Sequence, residues 1–156
     1  MPFDPSPFEA LDFPRPTGMR LRELESGRSD EGNRRFEVLC AVRRKWVLLE
    51  PEEWVRQHLV AHLVALGWPL GRTTVEYPAQ FGQAQGRIDV AVLDPQGQPA
   101  LIAECKAPGV ALSQATLDQL GRYQLDAGAP FAVATNGRQH MVWHNGQSIR
   151  HFPSPA

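Results

Sequence analysis

The hydrophobic and polar positions divide the chain into short segments of two different periods. Met19 and Leu21 alternate with arginines, and Phe36 to Val42 alternates again after a charged, turn-like stretch from Ser26 to Asn33. This predicts a hairpin of strands 19–25 and 35–42, then a tight basic turn at Arg43, Arg44 and Lys45, and a short apolar run from Trp46 to Leu49. The period then becomes helical. Pro51 suits a first helical position, Glu52 and Glu53 favour the positive N-terminal end, and Val55, Leu59, His62, Leu63 and Leu66 share one face. Gly67 and Pro69 stop this helix, and Glu50 is a poor cap for its start. A short strand from Thr73 to Tyr77, carrying Glu76, leads into a Gln- and Gly-rich stretch, Pro78 to Gly86, that reads as a loop.

The central stretch is a second hairpin. Arg87 to Leu93 and Ala100 to Cys105 read as strands joined by Asp94-Pro95-Gln96-Gly97, where Pro presets φ and Gly is free to take a positive one. Ser113 opens a helix to about Asp126, with Leu117 and Leu120 inward, Leu125 a further inward candidate, and Gln119 and Tyr123 together on another face. Gly128 ends it. Pro130 to Thr135 is a short buried strand, Asn136-Gly137 a turn, Gln139 to His144 a final strand, and Asn145-Gly146 a turn before a tail. The strand–helix–strand unit over 100–135 calls for a right-handed parallel crossover, and the remaining strands pair antiparallel. The fold class is therefore α/β, a mixed central sheet with a helix on each side in a three-layer sandwich.

Composition adds boundaries. Five prolines fall within the first sixteen residues, so residues 1–18 read as an extended or disordered lead, with Phe3, Phe8 and Phe13 as possible anchors, before one domain over 19–151. The formal net charge is −1, so any contact with nucleic acid is local or assisted rather than driven by a basic excess. Cys40 and Cys105 give neither a disulfide framework nor a zinc spacing, which suits a reducing, cytoplasmic interior. A signal peptide and an apolar run long enough to span a bilayer are both missing from the pattern, so no membrane partner is expected.

The chemistry-bearing residues lie on the central hairpin. Alternation puts Glu104 and Lys106 on one side and Cys105 on the other, and pairing about the turn brings Asp89 across from Glu104. Two carboxylates and an ammonium at the end of an oily hairpin are costly without partners or a metal. A pair of oxygen ligands with open positions suits a hard divalent cation, Mg²⁺ or Mn²⁺. A plain strand-end salt bridge between Asp89 and Lys106 fits the same residues. His58 and His62 stand four apart on the first helix, a spacing that can bind metal but more often does not. Trp46, Trp54, Trp68 and Trp143 read as core and rim packing rather than base-stacking platforms. A solvated turn fits Arg43, Arg44 and Lys45 better than a contact with a phosphate backbone.

The chain resembles the N-terminal domain of type I restriction enzyme R proteins, in a short stand-alone form. The matching residues are RRKWVLLEPEEWVRQHLV at 43–60, LGWP at 66–69, VE at 75–76, GRIDVAV at 86–92, LIAECKAP at 101–108, LDQLGRY at 117–123 and ATNG at 134–137, covering about residues 36 to 144. The resemblance implies a restriction-endonuclease-like fold of the PD-(D/E)xK superfamily. It also implies a Mg²⁺-dependent endonuclease acting on DNA, with Asp89, Glu104 and Lys106 as the nuclease triad. Asp89 and Glu104 would hold the metal, with the main-chain carbonyl of Cys105 as an added ligand. Gln119 and Tyr123 match the family's Q-x-x-x-Y motif, and Glu52 matches a helix-one glutamate. Without the resemblance, Gln119 and Tyr123 are an ordinary i, i+4 helix pair, and Glu52 with Arg56 an ordinary surface salt bridge. Relatives usually carry Thr where Glu50 stands, and the Pro-rich lead has no counterpart. The 156 residues contain no G-x-x-x-x-G-K-[ST] phosphate loop, so the ATP-driven motor of full R subunits is not encoded in them and a protein partner supplying motor or specificity is expected. Two other readings stand beside the nuclease: a non-catalytic nucleic-acid-binding or assembly module on the same fold, and a small structural protein.

Overall fold

The structure is a computed structural model that describes residues 8–25, 34–81 and 84–155. Three short antiparallel strands come first: β1 (Leu21–Leu24), β2 (Arg35–Cys40) and β3 (Lys45–Leu48). Helix α1 (Pro51–Ala65) follows, then β4 (Thr73–Phe81), β5 (Ala84–Leu93), β6 (Pro99–Cys105), helix α2 (Gln114–Ala127), β7 (Phe131–Thr135), β8 (His140–His144) and β9 (Gln147–Ile149). Strands β4 to β9 form one six-stranded sheet in sequence order, antiparallel throughout except for the parallel pair β6–β7 that α2 connects. This is the mixed α/β sandwich the sequence predicts.

The two helices cover opposite faces of the large sheet. Val55, Leu59 and Leu63 of α1 pack with Val90, Val92, Leu101, Ala103, Cys105 and Val133. Leu120 and Tyr123 of α2 pack with Ile88, Ala91, Ile102, Ala132 and Ala134. From Leu101 to Cys105 the side chains of β6 alternate, Leu101, Ala103 and Cys105 toward α1 and Ile102 toward α2, while Ala100, beside the register shift, also packs on the α1 side. Ser113 caps α2, its Oγ accepting from Thr116 N at 3.2 Å, and Gly128 ends the helix in the left-handed region at φ 67°. Glu50 makes no side-chain cap bond at the start of α1.

Several expectations need correction. The first hairpin does not join the main sheet: β1–β2–β3 is a separate sheet whose Phe36 and Val38 pack with Leu49 and with Trp54 of α1. Helix α1 is thereby buried on two sides, which explains why Arg56, Gln57 and His58 are buried as well. Residues 78–81 and 84–86, read as loop, are strand. Tyr77 and Ala79 pack into the α2-side core, and β4 is an edge strand, where Pro78 removes no bond from an outer neighbour. Leu125 is 87% exposed; Tyr123 takes the inward place instead. The tail adds β9 beside β8.

Of the Pro-rich lead, residues 8–18 are described, and they are packed against the domain as a strap. The Phe8 ring lies 5.1 Å from Phe36 and 5.0 Å from Trp54, whose Nε1 donates to the Glu9 carbonyl at 3.0 Å. Asp12 N donates to the Gly137 carbonyl at 2.7 Å, Glu9 pairs with Arg138, and the Phe13 ring lies tilted 4.5 Å from that of His140. Phe3 lies outside the described residues. Trp54 and Trp68 are core and Trp143 is half-buried, while Trp46 sits at the rim with the Arg22 guanidinium 4.3 Å from its ring centroid.

Candidate functional site

The β5–β6 hairpin begins as a regular ladder. Asp94 Oδ1 accepts from Gln96 N and Gln98 N, both at 2.9 Å, and Gly97 takes φ 83° to close the turn. Leu93 to Val90 then pair with Pro99 to Ala103, with one register shift next to the turn. The ladder stops where Asp89 would face Glu104. Val90 faces α1 and Ile88 faces α2, so the alternation of β5 breaks at Asp89. Across from it on β4, Glu76 takes φ 54°, rare for a residue with a side chain. Both strands are irregular at the level of the acid.

What fills the break is the Asp89 carboxylate. Its Oδ2 accepts from Cys105 N at 2.7 Å, and its Oδ1 accepts from Arg56 Nη2 of α1 at 3.3 Å. Glu104, 5% exposed, sits against it, and its Oε1 is buried with no hydrogen-bond partner. Burial pushes the Glu104 carboxyl up to about 8, the adjacent Asp89 pushes the same way, and the Lys106 ammonium opposes them. Lys106 follows directly, half-buried, its backbone N donating to Thr135 O at 2.9 Å. The parallel register pairs Cys105 with Thr135, so Lys106 N and Glu104 O face β7, and the N–H and C=O of Cys105 face the gap toward β5. The thiol of Cys105 belongs to the α1-side core, where burial holds it well above the usual thiol range.

Glu52 lies at the exposed first turn of α1, in the same electrostatic neighbourhood. Burial and then Asp89 push its carboxyl up, while Arg56 and Lys106 pull it down. It does not pair with Arg56: that guanidinium bonds Glu53 Oε1 at 3.2 Å and Asp89 instead. Gln119 Nε2 donates to the Tyr123 hydroxyl at 3.0 Å. This pair reaches the hairpin from the α2 side, for a Cβ built on Gly86 would meet the Tyr123 hydroxyl oxygen at 2.3 Å. All the candidate residues thus border one end of the hairpin: Asp89, Glu104, Lys106 and Cys105 at its centre, Glu52 on the α1 side, and Tyr123 with Gln119 on the α2 side.

The donor set fits a hard divalent cation. Glu104 Oε1 is an orphan acceptor, and the Asp89 oxygens, which accept from Arg56 and Cys105 N, lie hydrogen-bonded against the Glu104 carboxyl, where a cation can take the place of the shared proton. The Cys105 carbonyl faces the same gap. Among the described residues no three His, Cys, Asp or Glu side chains converge as a metal site, so the acidic pair would rely on main chain, water or substrate oxygens. His58 and His62 do not provide an alternative. His58 Nδ1 is bonded to the Trp54 carbonyl at 2.8 Å, and burial lowers the affinity of both rings for a proton.

Two groups of residues escape the sequence reading. Arg56 looks like half of a surface pair, yet it is buried and in contact with Asp89. The signal was available in Trp54 and Val60, apolar positions outside the 55/59/63 stripe that mark a helix covered on a second side. Arg43, read as a solvated turn residue, donates to Glu53 Oε1 at 2.8 Å; Arg44 and Lys45 are exposed, and Glu76 stands 3.9 Å from Arg43. Thr135 and Asn136 are the second group. Asn136 Oδ1 accepts from Arg138 N and Gln139 N, and its Nδ2 donates to the Val110 carbonyl, so it ties the loop after β7 to the one after β6.

Fold and site together define an α/β domain whose open mixed sheet carries an acidic pair and a lysine at the splayed end of its central hairpin. The chain belongs to the family described as type I restriction enzyme R protein N terminus, whose model matches residues 51–153, about two thirds of the chain. The match begins at α1 and extends through β9 to Pro153, where the resemblance in sequence runs from about 36 to 144. No curated protein and no solved structure matches the chain significantly. Among the described residues, no helix is long and apolar enough to cross a membrane.

Proposed function

We propose that the splayed end of the β5–β6 hairpin is a metal-dependent endonuclease site of the PD-(D/E)xK type, acting on DNA within restriction–modification. The observation that carries this reading is the interrupted ladder. Asp89 leaves its strand position to sit against Glu104, beside Lys106, and Glu104 Oε1 is left buried with no partner. A buried, unpaired acceptor costs stability and serves no packing purpose. Membership of a restriction-enzyme family supplies the substrate class.

Asp89, Glu104 and the carbonyl of Cys105 would hold Mg²⁺ or Mn²⁺, which when bound spreads developing negative charge and lowers the pKa of a coordinated water. The chain's own groups do the rest. Lys106 orients the attacking water and offsets charge growing on the phosphate. To serve as a ligand Glu104 would release its proton to solvent, which the Lys106 ammonium beside it favours. Gln119 and Tyr123 offer neutral donors and brace β5 at Gly86. Glu52, on the first turn of α1, adds a carboxylate to the electrostatic neighbourhood of Asp89 and Lys106.

The test is cleavage of supercoiled, linear and single-stranded DNA by the purified chain with Mg²⁺, Mn²⁺, Ca²⁺ or chelator. Cutting in Mg²⁺ or Mn²⁺, with binding but no cutting in Ca²⁺, is expected. Binding of DNA without cutting in any metal, by folded protein, would move the assignment to a nucleic-acid-binding module.

A further inference from the structure

A chain of charges runs from the small sheet to the site. Arg43, in the turn between β2 and β3, donates to Glu53 Oε1 at 2.8 Å. Arg56 Nη1 donates to the same oxygen at 3.2 Å, and Gln57 Nε2 to the other Glu53 oxygen at 3.1 Å. Arg56 Nη2 then reaches Asp89 Oδ1 at 3.3 Å. The side chains of Arg43, Glu53, Arg56 and Asp89 are 14%, 11%, 8% and 16% exposed, so the chain is almost wholly shielded from water. Arg56 Nε is buried without a partner, which means the guanidinium is placed for its two Nη contacts and not for full satisfaction.

We infer that Arg56 is a positioning residue that fixes the Asp89 carboxylate for the cation, and that Arg43 anchors it from the small sheet through Glu53. The geometry gives the reason. Asp89 interrupts its own strand, so the β ladder no longer dictates where its carboxylate points. Cys105 N holds one oxygen and Arg56 holds the other, and together they set the plane of the group. The planar fork of arginine lets one residue hold Glu53 and Asp89 at once, which an ammonium on a flexible stem does not reproduce. Arg43 lies before Pro51, where the family match begins, so a segment outside the matched span is wired into the site. This inference rests on the nuclease reading of Asp89.

Charge and position predict opposite signs, which makes the inference testable. If Arg56 acted only as a nearby positive charge, removing it would strengthen binding of a cation. If it positions Asp89, both Arg56→Ala and Arg56→Lys weaken Mn²⁺ binding, by on the order of ten- to a hundredfold, as is usual for residues that orient metal ligands. Arg43→Gln, at a turn where loss of the fold is not expected, gives a smaller loss in the same direction. The experiment is calorimetric Mn²⁺ titration of the full chain and these three variants, with circular dichroism to verify folding. Arg56→Lys or, should that variant not fold, Arg43→Gln binding Mn²⁺ as tightly as wild type would overturn the inference while leaving the site reading intact. Wild type binding no Mn²⁺ would overturn the site reading and this inference with it.

Discussion

The two ends of one hairpin behave as different materials. At the turn end, Val90, Ala91 and Val92 pair with Ala103, Ile102 and Leu101, and all six are fully buried. Backbone satisfies backbone, and side chains fill the two cores on either face. At the open end the same two strands part, and side chains take over the work of the ladder: a carboxylate accepts the Cys105 N–H and an arginine from another element holds that carboxylate. A sheet can leave polar groups inside only where it gives up its own hydrogen bonds. The turn end supplies stability, and the open end uses some of that stability to keep unpaired acceptors buried.

Mutations at the two ends should separate accordingly. The largest stability effect is expected at the turn end. Leu101→Ala removes a fully buried side chain from the α1-side core and should cost about 2–5 kcal/mol in urea unfolding, with cleavage per folded molecule little changed. A loss below about 1 kcal/mol would mean that this half of the hairpin is not the stabilising half. Gly86→Ala comes next. Its Cβ would meet the Tyr123 hydroxyl at 2.3 Å, so Tyr123 or β5 must shift, at about 1–3 kcal/mol. Tyr123→Phe in the same chain removes the clashing oxygen and should recover part of the loss; no recovery would place the strain elsewhere.

A third effect is a pH dependence confined to the open end. Glu104 is held at about 8 in the folded chain against 4.5 for a free glutamate. The folded state binds the extra proton between those values, so its contribution is full below about 4.5 and is lost as pH rises through about 8. The thermal midpoint of wild type should fall between pH 5 and 8 in chelator, and that of Glu104→Gln should fall less. Equal slopes would show that Glu104 is not a buried, protonated acid.

How much of this was legible depends on the range of the signal. Turns and helix ends are local, and Asp94–Gly97, Ser113 and Gly128 stand where their chemistry predicts. The meeting of Asp89 with Glu104 was readable because one tight turn sets the register of both strands. Elements that owe their form to neighbours were not. Strand β9 is three residues long and exists because β8 offers it an edge. Residues 78–81 and 84–86 have loop composition and are strand because β4 and β5 pair with each other there. Leu125 is an inward candidate on spacing alone, but the buried stripe of α2 runs through Thr116, Leu120 and Tyr123 and leaves it exposed. The Arg43–Glu53–Arg56–Asp89 chain joins a turn, a helix and a strand, so no spacing along the sequence encodes it.

The measurement that tests the central claim most directly is the nicking rate of supercoiled plasmid by wild type and Lys106→Ala in Mg²⁺, at protein concentrations where anisotropy shows both saturated with DNA. Lys106 acts where charge grows in the transition state, while binding is spread over many phosphate contacts. Its removal should cost about 2–4 kcal/mol of barrier, a hundred- to a thousandfold in rate, and leave DNA affinity nearly unchanged. A Lys106→Ala chain that nicks as fast as wild type, or a folded wild type that binds and never nicks in Mg²⁺ or Mn²⁺, would contradict the account.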